Sequence, residues 1–209
     1  MIHPSWEALL VFERIFAQQG LLVAGTDEVG RGPLAGPVVA AAVVLDPEAP
    51  AIHGLDDSKK LSPRQRASLY LTIQRQAWAI GIGAVGPRTI ERVNIYQASR
   101  LAMRRALGNL MVKPDVVLSD AMPLPDAPYH VVPLIRGDAR SASIAAASII
   151  AKVVRDHYME ALHALYPEYH FDQHKGYATR LHREALKTYG PSGAHRVTFL
   201  HLGPDEWAQ

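Results

Sequence analysis

Leu21-Leu22-Val23-Ala24-Gly25-Thr26-Asp27-Glu28-Val29-Gly30-Arg31-Gly32 sets the reading of the whole chain. The apolar run Leu21–Ala24, bounded by Gly25 and the Gly30–Gly32 pair, reads as a buried strand over 21–27. Two adjacent carboxylates at its end point to opposite faces of a sheet if the strand stays regular. They can share one site only where the chain bends, and glycine permits such a bend. An acid pair leading into Gly-Arg-Gly suggests a divalent-metal site beside an anion-binding backbone. Taken alone, an Asp-Glu dipeptide is more commonly a solvated turn, so the decision falls to the rest of the chain.

Outward from this stretch, strands and helices alternate, which makes the class α/β. Residues 5–17 put Leu9, Leu10, Phe12, Ile15 and Phe16 near one helical face, with a stop at Gly20. A second strand is expected over 38–45, after the Gly/Pro-rich turn 30–37. Ser62-Pro63 offers an N-cap and a first-turn proline for a helix to about Arg75. A third strand over 78–85 precedes one helix from Pro87 through about Leu110. Val116–Leu118 reads as a short buried strand ending at Asp120, and 129–135 as another, before the Gly137-Asp138 turn. Residues 143–165 read as a long helix whose first half is nearly all Ala, Ile and Ser, hence buried and closely packed. A further amphipathic helix covers 179–189 and closes at Gly190-Pro191.

The 209 residues, 48% hydrophobic, suffice for one sizeable core and are read as a single domain over 1–209. With 22 basic and 20 acidic side chains the formal charge is only +2, which neither demands nor excludes nucleic acid. The absence of cysteine removes disulfides, thiolate metal sites and cysteine nucleophiles. No uninterrupted apolar stretch reaches transmembrane length, and Glu7 and Glu13 break any signal-peptide pattern. A soluble, cytoplasmic protein with no membrane partner is the expectation.

Six segments in order resemble bacterial ribonuclease HII, the type 2 ribonuclease H family. They are Gly25–Pro33, Asp57-Ser58-Lys59-Lys60-Leu61-Ser62, Leu118–Met122, Gly137-Asp138 leading into Ser143–Val153, His174-Lys175-Gly176-Tyr177, and Gly190-Pro191-Ser192. The resemblance runs from about Leu22 to Leu202. It implies a ribonuclease H-like mixed β-sheet flanked by helices, with an N-terminal helix over about 1–20 and a helical C-terminal extension over about 166–209. It also implies a metal-dependent endoribonuclease that hydrolyses the RNA strand of RNA–DNA hybrids. The same resemblance extends this to incision 5′ of single ribonucleotides embedded in duplex DNA, leaving 5′-phosphate and 3′-hydroxyl ends.

Phosphodiester hydrolysis needs an activated water and a stabilised leaving oxygen, and two divalent ions roughly 3.5–4 Å apart supply both. Mg2+ or Mn2+ suits a carboxylate cluster. Asp27, Glu28, Asp120 and Asp138 each fall at or just after an expected strand end, where α/β sheets gather ligands. The resemblance places the family's catalytic, metal-binding carboxylates on these positions. Asp156 reads instead as a structural partner of Lys152 or Arg155, and Asp56 and Asp57 as loop acids beside Lys59.

Gly30, Arg31 and Gly32 are assigned by resemblance to reading the 2′-hydroxyl, the group that distinguishes RNA from DNA. Tyr177 is the expected stacking platform beyond the RNA-to-DNA junction. Lys59, Lys60, Lys175 and Arg31 are candidate phosphate contacts. His170 and His174, four apart, lack the accompanying ligands of a zinc site and read as non-metal. Small departures from the family pattern occur at Ser119, Ala178 and Gly193; none removes a candidate ligand.

Ribonuclease HIII shares the acid layout, but its extra N-terminal domain finds no room in the residues before Leu21, and it differs at Gly-Arg-Gly. A binding protein that has lost catalysis conflicts with the intact acid set. A nicotinamide dehydrogenase conflicts with the spacing of Gly30, Gly32 and Gly36 and with Pro33. The expected partners are RNA–DNA hybrids and ribonucleotide-containing DNA, bound by a monomer. A sliding clamp is possible, but the C-terminal Gly203–Gln209 shows no clear clamp-binding pattern.

Overall fold

The chain alternates helix and strand in the order α1 (Trp6–Leu9), α2 (Val11–Ala17), β1 (Val23–Val29), β2 (Val38–Val44), α3 (Pro63–Gln76), β3 (Ala79–Val85), α4 (Pro87–Val93), α5 (Ile95–Gly108), β4 (Val116–Asp120), β5 (His130–Leu134), α6 (Ala142–Leu165), α7 (Phe171–His174) and α8 (Arg180–Tyr189). The computed structural model describes residues 5–56 and 58–200. Asp57 and the C-terminal Gly203–Gln209, both singled out above, lie outside the described residues.

The five strands form one mixed sheet in the order β3-β2-β1-β4-β5. β1 pairs antiparallel with β2 and parallel with β4; β2–β3 is antiparallel and β4–β5 parallel. β2 is buried along its whole length, as its unbroken apolar sequence requires of a strand covered on both faces. Its pleat sends Ala41 and Val43 toward a core shared with α3 and α6, and Ala40, Ala42 and Val44 toward one shared with α5. α6 approaches β1 so closely that a Cβ at Gly25 would overlap the backbone of Ser143 and Ile144. The glycine therefore fixes how near the N-terminus of α6 comes to the acid-bearing strand. A third core, built on Met159, Tyr169, Phe171 and Leu186, fastens the C-terminal helices to the far half of α6 and to Ala35.

Three expectations needed revision, and one element was missed. The 5–17 helix is two pieces, interrupted at Leu10. The helix expected from Pro87 to Leu110 is also two, because Asn94 adopts φ 67° and its side chain caps the second by accepting from Gln97 N–H. β1 runs to Val29, past Asp27, since its ladder with β2 continues to the Val29–Val39 pair. The short helix α7 at Phe171–His174 was not expected.

Candidate active site

The ladder between β1 and β4 ends at Thr26–Ser119, while each strand continues against its other neighbour. Asp27 and Glu28 on β1 and Asp120 on β4 lie just past that last pair, at the carboxyl ends of parallel strands. Asp27 is buried, and burial, followed by the charges of Glu28 and Asp120, holds its carboxyl well above the usual carboxylate range. One of its oxygens accepts the Glu28 N–H at 2.7 Å, and the Ser148 side chain also donates to it. Glu28 is likewise raised, chiefly by burial; Arg31 opposes the shift and Asp120 adds to it. Glu28 Oε1 meets Arg31 Nη1 at 3.3 Å, whereas its Oε2 is buried without a partner.

Asp120 Oδ1 accepts the Gly137 N–H at 2.8 Å. Asp138, the next residue, is buried in the 3-10 turn Gly137–Ala139. Thus β1, β4 and this turn bring the sequence-predicted acids to one end of the sheet. Among the described residues, no three His, Cys, Asp or Glu side chains converge as a ready-made metal cluster. Asp27, Glu28 and Asp120 each spend an oxygen on a nearby donor of the chain itself.

Gly30-Arg31-Gly32 begins the loop between β1 and β2. Gly30 has φ +92°, and a Cβ there would collide with the Arg155 guanidinium and the Pro37 carbonyl, so glycine is required on both counts. The loop rests on two fully buried arginines that the sequence reading did not assign to the site. Arg196 donates to the carbonyls of Gly30 (2.7 Å), Arg31 (3.0 Å) and Gly36 (2.8 Å). Arg155 donates to those of Pro37 (3.0 Å), Ala35 (3.2 Å) and Lys175 (3.0 Å). Burial, and then the neighbouring Arg155 charge, pulls Arg196 down to about 9.

Tyr177 is 44% exposed beside this loop; a Cβ at Gly32 would meet its ring at 3.9 Å. Lys175 Nζ lies 2.8 Å from Glu160, so this candidate phosphate contact already has an anionic partner. Lys60 pairs with buried Asp56 at 2.9 Å, and Lys59 is exposed in the same turn. Ser58 of that turn lies 2.9 Å from Ser148, which links it to Asp27. Neither serine was expected at the site. Asp156 pairs with Lys152 at 2.6 Å, as its spacing allowed. His174 is engaged by the Tyr169 carbonyl at 2.7 Å, while His170 stacks on His163.

A mixed five-stranded sheet with helices on both faces, carrying Asp27, Glu28 and Asp120 just past the last pair of two parallel strands, has the ribonuclease H-like architecture. The solved structures agree. Ribonuclease H2 from Pyrococcus horikoshii OT3 superposes with a TM-score of 0.71 at 28% identity, over 85% of this chain and 93% of that one. RNase HII in the PCNA:RNase HII complex from Archaeoglobus fulgidus gives 0.72 at 26%, over 89% of this chain and 100% of that one. Ribonuclease HII of Bacillus pumilus is 51% identical, over 95% of this chain and 78% of that protein. The Ribonuclease HII family model matches residues 24–201, and the chain belongs to that family of endoribonucleases, which act on RNA–DNA hybrids.

Proposed function

We propose that Asp27, Glu28, Asp120 and Asp138 bind divalent Mg2+ or Mn2+ and form the catalytic centre, and that the enzyme also incises DNA 5′ of a single embedded ribonucleotide. The observation that carries this is the unpartnered, buried Glu28 Oε2 beside an Asp27 made reluctant to ionise by burial and then by the charges of Glu28 and Asp120. A hard, oxygen-binding cation offsets that repulsion and occupies that oxygen. When bound, the metal supplies an activated water and charge stabilisation at the leaving oxygen.

The chain's own groups do the rest. Carbonyls of Gly30, Arg31 and Gly36 are held inward by Arg196, which fixes the loop that meets the sugar. Gly32 presents no side chain there, so the loop can approach a ribose 2′-hydroxyl closely. Tyr177 offers its exposed ring to the nucleotide past the junction. Arg31, Lys59, Lys60 and Lys175 contact phosphates, and for Arg31, Lys60 and Lys175 a phosphate takes the place of the carboxylate each now meets. Water adds to phosphorus and the bond to the 3′ oxygen breaks, leaving 5′-phosphate and 3′-hydroxyl ends.

The proposal extends to a monomer acting in the cytoplasm. Asp120→Asn tests the reading. Cleavage of both a long hybrid and a single-ribonucleotide duplex should fall by about a thousandfold or more, roughly 4 kcal/mol. A normal rate with normal metal dependence would remove Asp120 from the centre.

A further inference from the structure

Glu13 lies on α2, outside every segment assigned to the site above, yet it is only 2% exposed. Its Oε1 accepts the Ser141 hydroxyl at 2.6 Å and the Ser143 N–H at 2.9 Å. Ser141 in turn caps α6, accepting the Ile144 N–H at 3.2 Å. Its own N–H donates to the Gly137 carbonyl at 2.9 Å. Gly137 N–H donates to Asp120, and Asp138 follows directly. A continuous hydrogen-bonded chain therefore joins α2 to Asp120 through the turn that carries Asp138.

The arrangement is a costly way to cap one helix. Glu13 Oε2 is buried without a partner, beside a cavity of about 320 Å³ whose other walls include Leu45, Asp46 and Trp78. Burial raises the Glu13 carboxyl above its ordinary range. A serine cap is already present, so Glu13 is superfluous for starting α6 but well placed to fix where Ser141 sits.

We propose that Glu13 is a positioning residue for the metal site, holding the Gly137–Asp138 turn against Asp120 through Ser141. The proposal rests on the reading of Asp120 and Asp138 as metal ligands. Outer partners of metal ligands characteristically change metal affinity by 10–100-fold when removed.

The test is Mn2+ titration calorimetry on the full chain, with melting temperature and single-turnover cleavage alongside, for Glu13→Ala, Glu13→Gln, Ser141→Ala and Asp120→Asn. Glu13→Ala and Ser141→Ala should each weaken Mn2+ binding by about tenfold or more, with little change in KM for the hybrid. Glu13→Gln keeps an acceptor oxygen and should restore most of the affinity. Ser141→Ala leaves the Glu13–Ser143 bond in place, so it reports on the link even if Glu13→Ala folds poorly. Unchanged Mn2+ affinity in Ser141→Ala and in folded Glu13→Ala, while Asp120→Asn loses it, would overturn the positioning role alone. Mn2+ binding indifferent to Asp120→Asn would overturn the metal reading and the proposal together.

Discussion

The two banks of the site hold buried charge in opposite ways. At the mouth between β1 and β4, acids of like sign are gathered, and Glu28 Oε2 is left without a partner. In the loop between β1 and β2, two buried arginines spend their donors on carbonyls of residues 30–37 and of Lys175. On the proposed reading, the first bank gives up stability in the free protein and gains it back with a cation. The second is satisfied within the chain and is scaffolding, so its job is to present a backbone of fixed shape. Substitutions should therefore part in sign: neutralising an acid spares or raises stability, and neutralising an arginine lowers it.

The largest effect on stability is expected at Arg196. Arg196→Met leaves carbonyls of Gly30, Arg31 and Gly36 without donors, at about 1–3 kcal/mol for each that water cannot reach. Several degrees of melting temperature should be lost, with a disproportionate loss of cleavage as the loop relaxes. Arg196→Lys keeps the charge but not the planar fork and should recover only part. Equal melting temperatures for the Met variant and the parent would show that the loop holds its shape by other means.

Tyr177 should give a smaller effect, confined to substrate. As the proposed stacking platform, its exposed ring would contribute about 1–3 kcal/mol, roughly 5- to 150-fold in binding. Tyr177→Ala should lose that much junction cleavage at an almost unchanged melting temperature, and Tyr177→Phe should lose little. Strong destabilisation by alanine, with the rate tracking the unfolded fraction, would make the ring a packing element.

The smallest effect on cleavage is expected from the pH dependence of the C-terminal scaffold, which acts on stability. His182 and His195 lie 3.0 Å apart, and burial pulls each down to about 4. Below about 6.5 the unfolded chain takes up protons that the folded pair refuses, so stability is present above that pH and is lost as pH falls toward 4. Each unit is worth about 1.4 kcal/mol. Asp27, Glu28 and Glu13 are raised and push the other way. The comparison is therefore the melting-temperature difference between pH 7 and 5, in the parent and in His182→Asn. A flatter profile is expected in the variant; an identical one would clear the histidines of any part.

The placement of Asp27, Glu28 and Asp120 at strand ends was legible because each follows an apolar run read as a strand. What the sequence hid is where β1 stops: the apolar run ends at Ala24 and the acid pair looks like a strand end, but pairing with β2 carries the strand on to Val29, next to Gly30. The break at Asn94 was hidden because apolar residues continue on both sides of it, and asparagine tolerates the positive φ. Arg155 could have been found, since it shares the i, i+4 stripe of Ala151 and Met159, a line where a charge is out of place. Arg196 carries no such signal: its partners are carbonyls, which every residue has. Ser58 and Ser148 were hidden for a related reason, as serine is common and their meeting spans 90 residues.

Thermal denaturation of the parent and Asp27→Asn, each with and without Mn2+, tests the contrast between the two banks most directly. Asparagine keeps the oxygen that accepts Glu28 N–H but removes the buried charge. The parent should melt higher with Mn2+, while Asp27→Asn should match or exceed the metal-free parent and gain little from the ion. A parent indifferent to Mn2+, or an Asp27→Asn that melts lower yet keeps the full Mn2+ shift, would contradict the account.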